Sequence, residues 1–350
     1  MSEAPIRVLV ADDHAMVREG IRSVTSNIGS EELVARVRLA RELVGRREAT
    51  AAQVAPVMEA LYRYLMRPAL AILPGDRVRR LLIVPHGTLS YLPFAALRDE
   101  VTRQYLVERY AVLHLPTASA LPALRSVRQA GPRGRRSFVF APLAEALPAS
   151  KVEAQQFRRS VRGAEAFIGS RATESALRNA LLAGGIVHVA THGVMNARNP
   201  MFSRIELAPE KDRGTADDGR LEVHEVLGLT IRSPLVFLSG CETGLGAAWS
   251  TSFDRSEDYA TLAQAFLYAG ARNVVATLWR VVDESAAQFA EHFYAGLGSQ
   301  AAPDALAAAQ RRMLADARYS APYFWASYQV SGHGLSGGTN PQARSSPRIQ

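Results

Sequence analysis

The sequence predicts an α/β fold in which a mostly parallel central sheet is flanked by helices. From residue 81 onward, short apolar segments alternate with helical segments, a pattern typical of parallel strands joined by helical connections. Most of these strands are apolar along their whole length, which favours a sheet covered on both faces. The predicted strands are LLIV (81–84), YAVLHL (110–115), SFVFA (137–141), IVHVA (186–190), RIEL (204–207), LVFLS (235–239) and NVVATLW (273–279).

Helices are predicted between these strands and ahead of them. Apolar residues recur at helical spacing over 51–72, and a packed core face explains that stripe better than a ligand site. Over 259–269 the stripe runs from Tyr259 to Leu267, and Gly270 stands where a C-terminal cap belongs. The remaining predicted helices are 31–47, 151–161, 173–182 and 284–297.

Composition excludes several classes of protein. Of the 350 residues, 48% are hydrophobic and 21% are charged, so the chain can bury a core and is neither disordered nor collagen-like. The single cysteine, Cys241, permits no intrachain disulfide, and the N-terminus lacks the layout of a signal peptide, so we expect a cytoplasmic protein. No apolar run approaches the roughly 18 residues of a membrane span, and no membrane partner is expected.

The net charge of +8 comes mostly from arginines scattered along the chain. A basic surface can bind nucleic acid. However, the densest cluster, Arg133, Arg135 and Arg136, has no interleaved aromatic residues that could stack on bases. A solvated arginine-rich surface is therefore preferred, and no specific nucleic-acid partner is expected.

The N-terminal residues have a character of their own. An apolar strand at 6–10 is followed by Asp12 and Asp13, and this arrangement resembles the opening of a two-component receiver domain. A receiver also needs a phospho-accepting aspartate some forty residues later, and the segment REATAAQVAPVMEA contains none. A DNA-binding helix-turn-helix, which a response regulator would add, is not indicated either. We therefore interpret residues 1–24 as a truncated receiver-like segment whose acidic pair caps a helix.

Two predicted strands end in residues that can carry chemistry. The first, IVHVATHG, ends at His192 and Gly193, and the second, LVFLSGCETG, ends at Gly240 and Cys241. Functional groups gather at the carboxyl edge of a doubly wound sheet. A thiolate is a strong nucleophile, and an imidazole can accept its proton and then protonate a leaving amine. The backbone N–H groups of Gly193 and Cys241 would stabilise the oxyanion.

Simpler interpretations exist for both residue types. A lone cysteine after an apolar strand is commonly a small buried hydrophobe. His188, four residues before His192, could form a zinc-binding pair with it on a helix, but the β-branched surroundings predict a strand and HExxH is absent. We expect His188 to be buried in the sheet, and we expect neither a metal nor a cofactor.

Longer segments resemble the CHAT domain, a caspase-like peptidase domain. The segments are LLIVPHGTLSYLPFAAL (81–97), YLVERYAVLHLPTASAL (105–121), VHVATHG (187–193), PLVFLSGCETGLG (234–246), LAQAFLYAGARNVVATLWRVVDE (262–284) and APYFWASYQVSG (321–332). The resemblance implies a caspase-like three-layer fold and a cysteine endopeptidase of the caspase–separase type with His192 and Cys241 as its dyad. Cys241 lies 49 positions after His192, close to the separation of roughly 50 found in caspases.

The resemblance also predicts a domain organisation. A helical segment at 30–75 precedes a degenerate caspase-like half at 76–150 and a catalytic half at 151–332, and the Gly/Ser-rich tail 333–350 is predicted to be disordered.

Asp283 could line the substrate pocket. Capping the helix ahead of Ser285 explains it equally well, and relatives such as separase carry an acidic residue where this chain has Arg280. The expected partners are one specific protein substrate and an activating regulatory protein, since no repeats precede the domain. The alternative is a non-catalytic CHAT-type interaction module in bacterial signalling.

Overall fold

The computed structural model describes residues 10–11, 30–71, 73, 79–85, 87–117, 136–196, 198–210, 217–240, 262–279, 281 and 283–334. Its strands are β1 Val10–Ala11, β2 Arg80–Ile83, β3 Ala111–His114, β4 Phe138–Ala141, β5 Glu165–Ile168, β6 Val187–Ala190, β7 Gly193–Val194, β8 Arg204–Glu206, β9 Arg220–Glu222, β10 Val236–Ser239, β11 Asn273–Thr277 and β12 Tyr328–Gly332. Its α-helices are α1 Ser30–Val44, α2 Ala51–Leu61, α3 Arg67–Ala71, α4 Leu106–Arg109, α5 Pro148–Ser160, α6 Glu174–Ala183, α7 Val223–Leu227, α8 Leu262–Tyr268, α9 Asp283–Leu297 and α10 Ala302–Ala315.

Nine of these strands form one sheet in the order β1-β2-β3-β12-β11-β10-β6-β4-β5. The run from β11 to β5 is parallel throughout. Strand β12 is antiparallel to β11 and parallel to β3, and β1 is antiparallel to β2. The three short strands β7, β8 and β9 form a separate antiparallel sheet. The predicted mostly parallel sheet is therefore confirmed.

The large sheet has an apolar core on each face. Successive residues of β10 point to opposite faces, so Val236 and Leu238 pack in one core and Phe237 packs in the other. The first core includes α6, α7 and α8, and the second includes α1, α2, α5, α9 and α10. Full burial of a side chain such as Phe237 contributes roughly 1.5–3 kcal/mol. Burial on both faces explains why these strands are apolar at every position.

Helix α6 shows how local sequence sets the start of β6. The Thr173 hydroxyl accepts a hydrogen bond from the N–H of Ala176, 3.3 Å away, which caps the first turn. Gly184 ends the helix with φ +82°, a left-handed conformation that glycine adopts without strain. At Gly185 a side chain would collide with the carbonyl oxygen of Arg136, only 1.7 Å from an added Cβ. These two glycines let the chain turn tightly into β6 beside β4.

The N-terminal receiver-like prediction falls largely outside the described residues. Val10 and Ala11 form β1 at the edge of the large sheet, opposite Ile83 and Leu82. Asp12, Asp13 and the helix predicted after them lie outside the described part of the chain. No helix among the described residues is both long enough and apolar enough to cross a membrane.

Candidate active site

Strands β6 and β10 are adjacent and parallel, so their carboxyl ends meet at one edge of the sheet. Ala190 lies opposite Ser239, and the N–H of Thr191 extends the ladder by donating to the Ser239 carbonyl oxygen at 3.1 Å. His192 follows Thr191 directly and is partly exposed. The two predicted functional segments therefore leave the sheet side by side.

The short strand β8 holds the backbone around His192. The carbonyl oxygen of His192 accepts a hydrogen bond from the N–H of Glu206 at 3.0 Å. The Thr191 hydroxyl donates to the Glu206 carbonyl oxygen at 2.5 Å. Gly193 begins β7 and pairs with Ile205 of β8. Backbone restraint on both sides of His192 limits where its imidazole can reach.

The cysteine-bearing segment is described as far as Gly240. The carbonyl oxygen of Gly240 accepts a hydrogen bond from the hydroxyl of Thr277, the last residue of β11. Cys241 itself lies outside the described residues. The residue immediately before the predicted nucleophile is thus tied to the neighbouring strand.

Asp283 is the first residue of α9, and its side chain lies outside the described part of the structure. Val281 and Ala286, on either side of it in sequence, both line a cleft at the carboxyl edge of the sheet. The Asp283 backbone is therefore next to this cleft.

The cleft has a volume of about 50 Å³ and opens between the ends of β6, β10 and β11. His192, Ser239 and Gly240 form its rim, and they are partly exposed. Glu153 and Tyr328 line its inner part and are buried. The predicted base and the residue before the predicted nucleophile thus share one cleft, and a carboxylate lies within it.

A buried polar network extends from this carboxylate into the sheet. His188 is fully buried in β6, as predicted, and its ring stacks on Phe237 with centroids 4.9 Å apart. Nε2 of His188 lies 3.0 Å from Oε2 of Glu153, and Nδ1 lies 2.7 Å from the Tyr294 hydroxyl. Burial raises the pKa of Tyr294 well above its usual range, so the hydroxyl keeps its proton.

The sequence analysis missed Glu153. One signal was available, because Glu153 lies four residues before Phe157 on the face of α5 that enters the core, where a carboxylate is unusual. Within the described ranges, no group of three or more His, Cys, Asp or Glu side chains could hold a metal ion.

Comparisons with known proteins agree with this architecture. The profile of the CHAT domain family matches residues 55–333. Tetratricopeptide repeat protein 28 of Mus musculus is 26% identical over 334 residues, and the Homo sapiens protein is 26% identical over 329 residues. Each match covers 79% of this chain but only 13% of the relative.

Solved structures give the same result for the fold. The 2.6 Å crystal structure of the Saccharomyces cerevisiae separase–securin complex superposes with a TM-score of 0.53 at 14% identity, covering 81% of this chain and 18% of that chain. A second structure of that complex, at 3.0 Å, gives a TM-score of 0.54. These likenesses show the caspase-like fold. Because the family profile spans most of the sequence, including both strand ends that form the cleft, the chain belongs to the CHAT domain family.

Proposed function

We propose that the protein is a cysteine endopeptidase of the caspase-like class that cleaves a specific protein partner through His192 and Cys241. One observation carries this proposal: His192 shares a cleft with Gly240, the residue immediately before Cys241. In sequence, His192 lies two residues beyond Ala190 and Cys241 two residues beyond Ser239, and these two are register partners in adjacent parallel strands.

In the proposed reaction, His192 accepts the proton of the Cys241 thiol, and the thiolate attacks the carbonyl carbon of the scissile peptide bond. The N–H groups of Gly193 and Cys241 stabilise the oxyanion that forms. The C–N bond then breaks, His192 returns its proton to the leaving amine, and a thioester remains. Water, deprotonated by His192, hydrolyses the thioester and releases the thiol.

Asp283 is a proposed contributor to the substrate pocket. Its support is its position at the start of α9, between two residues that line the cleft.

The proposal includes a protein substrate and an activating regulatory protein, with action in the cytoplasm. The solved separase structure is a complex with the protein securin, so this fold accommodates a protein partner in that case. The chain's single cysteine fits a reducing compartment, since it can form no intrachain disulfide.

The test exploits the single thiol of the chain, because any thiol label must be on Cys241. The full chain is incubated with a peptidyl acyloxymethyl ketone, and the label is measured by intact mass. We expect native protein to be labelled and Cys241→Ala to remain unlabelled. His192→Ala should slow labelling roughly 100-fold or more, which is the usual contribution of a general base.

Iodoacetamide and urea-denatured protein provide the controls. Iodoacetamide reports whether the thiol is accessible, and the denatured chain reports the rate of an unassisted thiol. A peptidyl probe that reacts no faster with native than with denatured protein would contradict the peptidase and favour the non-catalytic interaction module.

A further inference from the structure

Strand β5 forms one edge of the nine-stranded sheet, and among the described strands it pairs with β4 alone. The N–H of Glu165 donates to the Ser137 carbonyl oxygen at 2.9 Å, so Glu165 and Phe167 turn their backbone groups towards β4. The N–H groups of Ala166 and Ile168 therefore face outward, and neither has a hydrogen-bond partner among the described residues. An edge with free donors of this kind can pair with a further strand.

The side chains of β5 are incompletely covered on both faces of the sheet. Phe167 stacks on Phe140, with ring centroids 4.8 Å apart, in the core that contains α6. Ala166 and Ile168 pack against the opposite core, which contains α5. These three residues of β5 are all partly exposed. An added strand would bury more of this apolar surface, which favours a polypeptide over a nucleic acid as the occupant.

A basic groove of about 470 Å³ runs along this edge. Its lining includes Arg136, Arg158 and Arg171, all of which are exposed. The one acidic residue among the described lining residues is Glu165, which lies 3.9 Å from Arg136. The groove therefore has an excess of positive charge, which favours an acidic ligand.

The three arginines come from separate segments of the chain. Arg158 lies in the last turn of α5, where a cation is also favoured by the helix dipole. Arg136 lies two residues before β4, and Arg171 lies in the turn that follows β5. Neither of these two is in the last turn of a described α-helix, so the helix dipole explains only part of the charge at this edge.

The charge also decides which kind of strand can pair with β5. Pairing with β5 of a second copy would bring two sets of these arginines together, and like charges across an interface repel. Arg171 donates to the outward-facing carbonyl oxygen of Ala166 at 2.9 Å. An incoming carboxylate could draw the guanidinium away from this carbonyl, because both partners of the new hydrogen bond would be charged. An acidic strand therefore frees an acceptor that other strands find occupied.

We propose that the outer edge of β5 binds an extended acidic segment of a partner protein, which joins the sheet as an additional strand. Its carbonyl oxygens accept from the N–H groups of Ala166 and Ile168, and its carboxylates pair with the arginines of the groove. Strand β4 separates β5 from β6, the nearest strand of the cleft. The inference is therefore independent of the proposed peptidase function.

Fluorescence anisotropy of labelled peptides tests the proposal on the full chain. The probe alternates glutamate and valine over about eight residues, which is an ordinary strand length. One control peptide replaces each glutamate by glutamine and so removes the charge. The other keeps the charge but has a methyl group on every peptide nitrogen, which prevents close pairing with a strand. We expect the probe to bind at least about tenfold more tightly than either control.

Ala166→Pro is the most direct variant, because an edge strand tolerates proline where the N–H faces outward. It removes one donor and sets a ring against the incoming strand, so probe binding should weaken at least about fivefold. Arg158→Gln should weaken it about twofold to fivefold at low salt. Arg47→Gln, at an exposed position outside the groove, should leave binding unchanged. Circular dichroism of each variant checks that the fold is kept.

Several results would overturn the proposal. Equal affinity for the N-methylated peptide would exclude strand addition, and equal affinity for the glutamine peptide would exclude a requirement for acidic residues. Tighter binding of an oligothymidylate of the same charge would assign the groove to nucleic acid. A dimer in sedimentation that Ala166→Pro dissociates would assign the edge to a second copy of this chain. The peptide comparisons use the unmodified chain, so they decide the matter even if Ala166→Pro does not fold.

Discussion

Arg41 lies over the ring of Trp279, with the guanidinium carbon 4.6 Å from the ring centroid. The same guanidinium donates a hydrogen bond to the carbonyl oxygen of Leu278, and the arginine is buried. Val281, two residues beyond Trp279, lines the cleft. Helix α1 begins ahead of the residues that match the family profile, and it is therefore tied to the segment that forms one wall of the candidate active site.

Replacing Arg41 by methionine should lower the free energy of unfolding by about 2–3 kcal/mol, because the Leu278 carbonyl loses a charged donor and Trp279 loses its cation. The free energy of unfolding of Arg41→Lys should lie between those of the unmodified chain and Arg41→Met, since lysine keeps the charge but lacks the planar donor group. Urea titration measures both. Arg47→Met, at an exposed position shortly after the same helix, should change stability by less than about 0.5 kcal/mol. Equal stability of the Arg41→Met and Arg47→Met chains would contradict the proposed tie.

Two buried tyrosines provide a matched pair for one substitution. Tyr294→Phe removes the hydroxyl that hydrogen-bonds with Nδ1 of His188 and leaves that buried nitrogen without its partner, so the free energy of unfolding should fall by about 1–3 kcal/mol. Tyr328→Phe removes a hydroxyl that has no partner among the described residues, so stability should stay the same or rise. Thermal and urea unfolding of both variants check this contrast. A larger loss for Tyr328→Phe than for Tyr294→Phe would refute it.

Thr277 offers a test of the bond that holds Gly240. Thr277→Val keeps the shape of the side chain but removes the donor, so the turn before Cys241 should loosen. We expect a loss of about 1 kcal/mol in stability and slower labelling of Cys241 by the peptidyl acyloxymethyl ketone, with the rate of labelling by iodoacetamide as the reference. Thr88→Val is the control, because the buried Thr88 hydroxyl has no partner among the described residues. A similar effect of both variants on labelling would exclude a role for the Thr277 hydroxyl.

Glu174 gives the protein a specific pH dependence. Burial raises the pKa of this carboxyl from 4.5 to about 7, although its hydrogen bond with Arg178 acts in the opposite direction. The folded state therefore binds the proton more tightly than the unfolded state. The stability that this provides is complete below pH 4.5 and is lost as the pH rises through about 7.

Glu174→Gln should remove this dependence, because the amide resembles the protonated carboxyl. Between pH 5 and pH 8 the unfolding free energy of the native chain should fall relative to that of the variant, by an amount on the order of 1 kcal/mol. Urea titrations at the two pH values measure the difference. If the native chain instead gained stability relative to Glu174→Gln between pH 5 and pH 8, the fold would stabilise the carboxylate and not the protonated carboxyl.

The central strands could be predicted because their signal is local. Strands such as β6 and β10 are buried on both faces, so each appears in the sequence as a continuous apolar run. Strand β12, with the sequence YQVSG, alternates buried and half-buried residues, and neither it nor its antiparallel direction was predicted. Helix α10 was also missed, since its buried face consists largely of alanines that give a weak apolar stripe.

The candidate site, like the fold, could be predicted from the sequence only in part. His192 and Gly193 follow an apolar strand, and the position of that strand end in the sheet could be anticipated from the topology of parallel sheets. The role of Glu153 could not be predicted, because it depends on the packing of α5 against β6. The contact joins Glu153 and His188, which are 35 residues apart in sequence. Long-range side-chain contacts of this kind leave no periodic signal in the sequence.

Strand β12 lies in the middle of the large sheet, although among the described residues it is the last strand in sequence. During synthesis on a ribosome, the parts of the sheet on its two sides stay unjoined until Tyr328–Gly332 emerges and inserts between β3 and β11. The same strand brings Tyr328 to the cleft, so a nascent chain lacks that side of the cleft until β12 is in place.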